Sequence, residues 1–309
     1  MSDAPQPRPL PVDRRIDPDG AGLRAAHRPG PERRTADEPP TERPRGRLRV
    51  ATYNIHKGVI RDLFGLRRVA SVHELRSRLH ELDADLIFLQ EVQGKNDRHA
   101  TRFDHWPGEP QEQFLAKSPT LRHTFESAYG RNANYLHGHH GNALLSRFPI
   151  VRRENRDFSD HALEKRGVLH CVVRIDRRNV HCFVIHFGLF AKSRDRQADA
   201  LVDWIVREVP RRAPLLIAGD FNDWRDRLSR RFVEALQVTE VMGSARTFPA
   251  LVPWLRMDRI YHRGFDLLGA DVLRGPSWAR LSDHAPLVAD LELLRGAGAG
   301  AATAAPDRD

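Results

Sequence analysis

Short apolar runs rich in β-branched residues, each followed by a polar or glycine-containing segment, recur along the chain between residues 48 and 293. Runs of this length and composition are typical of buried β-strands. We therefore predict strands at Leu48–Tyr53, Asp85–Leu89, Asn142–Ser146, Val168–Ile175, Val180–Phe187, Leu215–Ala218, Arg256–Tyr261 and Leu287–Leu293. The polar turn at Asp176–Asn179 predicts that the fourth and fifth of these strands form an antiparallel hairpin.

Two longer segments repeat their apolar residues at helical spacing. Gly65–Leu82 and Arg194–Val209 both carry apolar residues every three or four positions, and Pro210 follows the second. Both patterns predict amphipathic helices. Residues 93–119 show no such period and predict a long irregular loop, a kind of connection that often carries function. Antiparallel strand pairs between well-separated helices predict an α/β fold in which two facing, mostly antiparallel sheets are flanked by helices.

The two ends of the 309-residue chain differ in composition from its middle. Residues 1–46 are rich in proline and arginine and poor in large apolar side chains, and residues 296–309 are mostly glycine and alanine. Neither segment can bury enough apolar surface to offset the entropy of ordering, so both are predicted to be disordered. Residues 47–295 are predicted to form one domain, which we expect to be monomeric.

The net charge of +9 favours an anionic partner, such as nucleic acid, an anionic lipid surface or free phosphate. A coding bias that enriches arginine throughout the chain would give the same charge, and composition alone does not separate the two explanations. Charge therefore supports a phosphate-containing substrate without choosing among substrate classes.

The sequence shows neither a membrane span nor an export signal. No apolar run reaches the roughly 18 residues of a transmembrane helix, and Met1 is not followed by a signal-peptide core. The two cysteines, Cys171 and Cys182, fall on the two strands of the predicted hairpin, where they fit small buried thiols better than a disulfide. We therefore expect a cytoplasmic protein.

Polar and acidic residues stand at the ends of several predicted strands. The clusters hold Asn54, Glu91, Asp220, Asn222, Asp283 and His284. Burying such side chains without partners is costly, so their recurrence at strand ends indicates a shared site. Carboxylate and amide oxygens suit a hard divalent cation and a phosphate. Glu91, the lone acid after an apolar strand, is the best candidate for a metal ligand.

The order of these clusters resembles the endonuclease/exonuclease/phosphatase superfamily, which has the pancreatic deoxyribonuclease fold. The resemblance covers roughly Leu48 to Leu293 and implies a four-layered sandwich, with two facing sheets between helices. The first cluster, Tyr53–Gly58, is similar to that of a bacterial branch of the superfamily. The resemblance also implies a phosphoesterase that depends on Mg²⁺ or Mn²⁺ and hydrolyses its substrate by in-line attack of water.

The resemblance implies that Asn54 and Asp283 join Glu91 in the metal environment, where the Asn54 amide would hold Glu91, a metal-bound water or phosphate. His56 departs from the residues usual at its position, and imidazole suits softer cations than Mg²⁺, so it is expected to touch phosphate or the groups around the metal ligands. Lys57 is expected to contact phosphate, with a solvated lysine as the alternative, and Asn142 matches a family motif and is assigned to phosphate or substrate binding.

Catalytic roles are implied for five residues. Asp220 and Asn222 are two positions apart, so on an extended strand end they would face the same side. Asp220 would then orient or deprotonate water, and Asn222 would donate to a phosphoryl oxygen. His186 matches a family histidine that serves as a general acid or phosphate ligand. Asp258 matches the acid that hydrogen-bonds His284, which would face phosphate or the nucleophile.

The preferred prediction is a nuclease that acts on DNA or RNA, with Lys95, Arg98 and Arg102 of the irregular loop as a candidate contact surface. A phospholipid or sphingomyelin-type phosphodiesterase and a phosphomonoesterase remain open as alternatives. A non-catalytic binding module on a degenerate nuclease fold is an alternative of a different class. Such a module would not need the full set of polar residues at the strand ends.

Overall fold

The computed structural model describes residues 41–61, 68–120, 123–161 and 164–294. The predicted disorder of residues 1–40 and 296–309 concerns segments outside the described residues, as does the predicted helix start at Gly65. Residues 41–46, assigned by composition to the N-terminal segment, lie against the domain. Within them, Arg43 pairs with Asp83 at 3.0 Å and with Asp85 at 3.1 Å.

The strands are β1 (Arg47–Asn54), β2 (Val59–Arg61), β3 (Arg68–Ala70), β4 (Leu86–Asn96), β5 (Glu126–Tyr135), β6 (Gly138–Ser146), β7 (Ile150–Asp157), β8 (Gly167–Ile175), β9 (Arg178–His186), β10 (Leu215–Asp220), β11 (Thr239–Glu240), β12 (Asp258–Arg263), β13 (Phe265–Val272) and β14 (Leu287–Leu293). The helices are α1 (Val72–Glu81), α2 (Asp97–Arg102), α3 (Gln111–Ala116), α4 (Ala191–Glu208), α5 (Ser229–Leu236) and α6 (Pro276–Ala279). Within the described ranges, no helix is long and apolar enough to cross a membrane.

The large strands form two six-stranded sheets. The first has the order β13-β14-β1-β4-β6-β5, and the second has the order β11-β12-β10-β9-β8-β7. Each sheet contains one parallel pair, β1 with β4 and β9 with β10, and its other neighbours are antiparallel. This mixed α/β architecture confirms the predicted fold class of two facing, mostly antiparallel sheets.

The core of the described residues consists of three apolar clusters, one between each pair of adjacent layers. Val50 and Val184 belong to the cluster between the two sheets. Leu75 of α1 packs on the outer face of the first sheet, and Trp204 of α4 packs on the outer face of the second. Because neighbouring residues of a strand face opposite sides, Ala51, next to Val50, joins the α1 layer. The result is the predicted four-layered sandwich.

The first predicted helix and the predicted irregular loop differ from the structure. Helix α1 begins at Val72 rather than Gly65, because the residues just before it form β3, which pairs with β2. The segment 93–119 was predicted to be irregular, but it contains the end of β4 and the short helices α2 and α3. The Asn96 side chain accepts a hydrogen bond from the His99 backbone and caps α2. Helices this short lack a full hydrophobic period, so the pattern does not reveal them.

Strands β5, β7 and β13 were not predicted from the sequence. All three lie at sheet edges, and polar or glycine residues interrupt their apolar positions, so none contains a continuous apolar run. The predicted hairpin is present as β8–β9, although its turn is reduced to Asp176 and Arg177, with φ of 46° and 65°. Cys171 and Cys182 face each other across this hairpin and are buried free thiols, as predicted.

Candidate active site

The candidate site lies where the carboxyl ends of the two parallel strand pairs meet. Asn54 ends β1, His186 ends β9 and Asp220 ends β10. Asp258, the first residue of β12, pairs in register with Asp220. The Asn54 amide crosses from the first sheet to the second and donates to Asp220 Oδ2 at 3.1 Å. Polar residues from distant parts of the chain are thereby brought within hydrogen-bonding reach.

His284 lies between two buried carboxylates. Its Nδ1 is 2.8 Å from Asp258 Oδ2, and its Nε2 is 3.8 Å from Asp220 Oδ2. Thr247 Oγ1 donates to the same Asp258 oxygen at 2.6 Å and fixes that carboxylate. Burial alone would lower the pKa of His284, but Asp258 and Asp220 outweigh it and raise that pKa to about 10. His284 is therefore a buried cation at neutral pH, and the Asp258 hydrogen bond implied by the resemblance is present.

Asp220 is the residue on which the buried polar groups converge. Besides the Asn54 amide, its Oδ2 has His186 Nε2 at 3.6 Å, and its Oδ1 accepts a hydrogen bond from the Asn222 backbone at 2.9 Å. Burial raises the pKa of Asp220 to about 6, although the charge on His284 acts in the opposite direction. A carboxylate with a pKa this close to neutrality can accept a proton from water and release it again.

His186 is buried and neutral. Burial lowers its pKa well below the usual value, and the nearby charges of Arg166 and His284 lower it further. Arg166 Nε donates to the backbone oxygen of Phe187 at 3.1 Å, which places the guanidinium beside the end of β9. Arg166 was not predicted as a site residue, because it lies between β7 and β8 in a segment without a recognisable motif.

Glu91 lies at an irregularity of β4. The register with β6 shifts between Leu89 and Val92, and Glu91 adopts a φ of 57°. Its Oε2 is 3.5 Å from Lys57 Nζ but makes no hydrogen bond with any described residue, although it is buried. Burial would raise the pKa of Glu91, but Lys57 and His56 hold it below its usual value. Glu91 is therefore an ionised carboxylate with an oxygen available to a ligand.

Asp283 and His56 lie near Glu91, on the side of the site that is open to solvent. Asp283 Oδ1 is 3.4 Å from His56 Nδ1, and each side chain is about half exposed. Asn54 Oδ1 accepts a hydrogen bond from the His56 backbone at 3.1 Å. The Asn54 amide donates to Asp220 and not to Glu91, which is one of the three partners that the resemblance implied for it. Glu91, Asp283, Lys57 and His56 are named the Glu91 corner below.

The sequence of this chain matches the profile of a known protein family. The profile of the Endonuclease/Exonuclease/phosphatase family matches residues 51–284, most of the described domain. The chain belongs to this family. The Escherichia coli (strain K12) protein YbhP, described as uncharacterized, is 41% identical over 253 residues, which cover 80% of this chain and 96% of that protein.

Solved structures of the endonuclease/exonuclease/phosphatase family share the fold. The Beutenbergia cavernae endonuclease/exonuclease/phosphatase has a TM-score of 0.59 at 20% identity, over 81% of this chain and 72% of that one. The Bacteroides thetaiotaomicron mannosyl-6-phosphatase has a TM-score of 0.58 at 18% identity, over 79% of this chain and 99% of that one. At such low identities, the similarity establishes the fold alone.

Members of the endonuclease/exonuclease/phosphatase family are hydrolytic phosphoesterases that generally depend on a divalent metal. In the described residues, Asp220, Asp258 and His284 form a group of potential metal ligands whose ligand atoms all lie within 4.8 Å of one another. His284 Nδ1 is hydrogen-bonded to Asp258 and its Nε2 faces Asp220 at 3.8 Å, so both ring nitrogens are directed at carboxylates and this set fits a buried row of ion pairs better than a metal site. Glu91 Oε2, which makes no hydrogen bond with a described residue, fits a hard cation.

Asn222 and Asn142 both donate their side-chain amides to backbone oxygens. The prediction that Asp220 and Asn222 face the same side assumed an extended strand end, but Asn222 adopts a φ of 51° and its backbone N–H donates to Asp220 Oδ1. Its Nδ2 donates to the backbone oxygen of Phe187 at 2.9 Å and ties β9 to the end of β10. Asn142 Nδ2 donates to the backbone oxygens of Gly167 at 2.9 Å and Val184 at 3.2 Å, which links the two sheets.

A cavity of ≈ 670 Å³ opens beside the Glu91 corner. The residues that line it are His56, Lys57, Val59, Gln93, Asn96, Arg98, His99, Arg102, Tyr135, Leu136 and His137. None of these described residues is acidic, and Lys57, Arg98 and Arg102 are cationic. Two of the three basic residues predicted as a contact surface therefore line this cavity, and the Lys95 side chain lies outside the described part of the chain.

Proposed function

We propose that the chain is a metal-dependent hydrolase of phosphate diesters. The observation that carries this proposal is the buried row Asp258–His284–Asp220, with His186 beside Asp220. Removing one imidazolium and two carboxylates from water is costly, and such perturbed groups cluster at functional sites. Membership of a family of phosphoesterases supports the same reaction class.

Glu91 and Asp283 are the residues that would hold the divalent metal. Mg²⁺ binds through one or two carboxylates and keeps several waters, which suits two carboxylates at an open corner. When bound, the metal would neutralise negative charge on the phosphoryl oxygens. The role proposed for Asn54 is to position Asp220, since its amide and its carbonyl oxygen are both engaged within the protein.

The residues of the row each have a distinct part in the reaction. A bond forms between water oxygen and phosphorus, and the water proton passes to Asp220. The ester bond from phosphorus to the leaving oxygen breaks, and that oxygen takes a proton from solvent at the mouth. His284 keeps its charge and offsets the negative charge that grows on the phosphoryl oxygens. Asp258 acts as a positioning residue for His284, and neutral His186 offers an N–H to a phosphoryl oxygen.

A polynucleotide is the first substrate class to test. The cavity beside the Glu91 corner has three cations and no acid among the residues that line it, and it could hold backbone phosphates that flank the reacting one. We expect the double variant Arg98→Gln/Arg102→Gln to raise KM for DNA or RNA with little change for a small diester. Arg207→Gln, an exposed arginine on α4, is the matched control.

A phospholipid is the second candidate, because large apolar side chains are exposed on loops that adjoin the same mouth. A panel of plasmid DNA, RNA, phospholipid vesicles, a small aryl phosphate diester and a sugar phosphate, each with Mg²⁺ and Mn²⁺, separates these classes. Glu91→Gln should lose activity on every substrate that the protein hydrolyses, and Glu234→Gln, an exposed helix residue, should not. Failure to hydrolyse any diester with either metal would refute the proposal.

A further inference from the structure

Six large apolar side chains are exposed on three loops beside the active-site mouth. They are Leu189 (56% exposed), Phe190 (63%), Trp224 (41%), Leu251 (76%), Val252 (69%) and Trp254 (63%), and they are named the apolar rim. Isolated exposed apolar residues are common on protein surfaces. A set gathered around a functional site marks a contact surface.

Side-chain contacts connect the three loops of the rim. The Arg194 guanidinium lies 5.4 Å from the centre of the Trp224 ring and donates to the backbone oxygen of Leu189, which joins the first loop to the second. Arg256 donates to Asp226 at 2.9 Å, which joins the second loop to the third. The three loops that carry the rim are therefore held together by side-chain contacts.

Each loop is also attached to the active site. The first follows His186 at the end of β9, and the second follows Asp220 at the end of β10. In the third loop, the Ala250 backbone donates to the backbone oxygen of Asp283 at 2.7 Å. A surface that contacts the rim therefore also borders the mouth through which substrate enters.

Exposed cationic residues lie within a few positions of the rim residues in the sequence. They are Lys192, Arg225, Arg227 and Arg246, and none of them forms an ion pair with a residue that the structure describes. Asp226, the acid between two of them, is already paired with Arg256 and Arg259. The rim is thus apolar with a positive border, which matches a partner that is apolar inside and negative at its surface.

We propose that the apolar rim docks this protein on an anionic lipid bilayer, with the active-site mouth facing the headgroups. Tryptophan favours the membrane–water interface, aliphatic side chains enter the acyl boundary, and lysine and arginine pair with anionic headgroups. A polynucleotide could stack on Trp224 or Trp254, but it offers no apolar surface to Leu251 and Val252. This inference concerns binding and does not depend on hydrolytic activity.

The test is sedimentation of the full-length protein with phosphatidylcholine vesicles that contain about 30% phosphatidylglycerol. We expect Leu251→Gln/Trp254→Gln to weaken vesicle binding by about tenfold or more, because it removes two of the inserted side chains. Val206→Gln is the matched control, since Val206 is 62% exposed on α4. Val206 lies fifteen residues along α4 from Ala191, or about 22 Å from the rim end of that helix, and its loss should leave binding unchanged.

Tryptophan quenching by brominated phospholipid separates rim insertion from simple attraction of the arginine-rich N-terminal residues to the vesicle. Trp254→Phe should keep vesicle affinity, because phenylalanine remains apolar, while the quenched fraction of the fluorescence decreases. High salt should weaken the electrostatic part of binding and leave quenching of the bound protein intact.

Four outcomes would overturn the inference: no vesicle binding, equal binding by the double rim variant, no quenching of the bound protein, or a rim variant that loses DNA binding or self-association instead. Hydrolysis of a small soluble diester should be the same in the wild type and the rim variant. If no diester is hydrolysed while rim-dependent binding persists, the proposed reaction fails and the docking surface stands.

Discussion

Replacing Asp258 with asparagine tests whether the charge on His284 is used in the reaction. The Asp258 carboxylate raises the pKa of His284 and accepts its closest hydrogen bond, at 2.8 Å against the 3.8 Å that separates Nε2 from Asp220. A hydrogen bond to a charged group contributes about 1.5–3 kcal/mol, and asparagine keeps the shape of Asp258 but removes its charge. Losing that interaction should leave His284 less charged and less firmly oriented, and should lower kcat by about 10- to 100-fold.

The assay is kcat for a small aryl phosphate diester with saturating metal at neutral pH, with circular dichroism to verify the fold. Thr247→Val is the control, because it removes the other hydrogen bond to Asp258, at 2.6 Å, and keeps the charge. We expect that control to lose less than about tenfold. Wild-type kcat in a folded Asp258→Asn variant would show that the reaction does not use the charge on His284. A loss of activity in Thr247→Val as large as that in Asp258→Asn would assign the effect to the position of Asp258 and not to its charge.

Glu91→Gln should weaken Mg²⁺ and Mn²⁺ binding and lower turnover without changing metal-free thermal unfolding; a metal titration that superimposes on the wild type would contradict this. His186→Ala should lower turnover by about 10²–10⁴, and adding His284→Ala should cost less than the sum of the single losses, because both act on one phosphoryl group. If His186→Ala keeps full turnover, His186 is a packing residue of the core and has no part in the reaction. Burial lowers the pKa of His80 to about 4, so the free energy of unfolding should fall by about 2 kcal/mol between pH 7 and 5 on its account. In denaturant unfolding, the free energy of unfolding of His80→Gln should decrease less between pH 7 and 5 than that of the wild type. An unchanged pH dependence would show that His80 does not cause the decrease.

The fold was predictable because its central strands carry strong local patterns. The run Leu215–Ala218 marks β10, and the acid that ends it, Asp220, lies at the site as the motif suggested. Strands β1, β9 and β14 were found in the same way. The edge strands were missed because a strand with one polar face and no continuous apolar run resembles a loop in sequence.

The sequence predicted which residues lie at the candidate site better than it predicted which of them contact one another. The Asp258–His284 pair followed from the resemblance, and its geometry is present. The link from Asn54 to Asp220 crosses between sheets, and no local pattern specifies it. Arg166 approaches His186 only because β8 and β9 are neighbours. Such contacts depend on tertiary packing, which periodicity does not encode.

In the proposed reaction, the buried row and the Glu91 corner hydrolyse a phosphate diester by attack of water on phosphorus. Mass analysis of the products, after reaction of a small aryl phosphate diester with Mn²⁺ in water labelled with oxygen-18, tests this step. We expect the heavy oxygen to enter the phosphate monoester, and we expect Glu91→Gln and His284→Ala largely to abolish its incorporation. Heavy oxygen in the released alcohol, or incorporation that both variants leave unchanged, would rule out the proposed reaction.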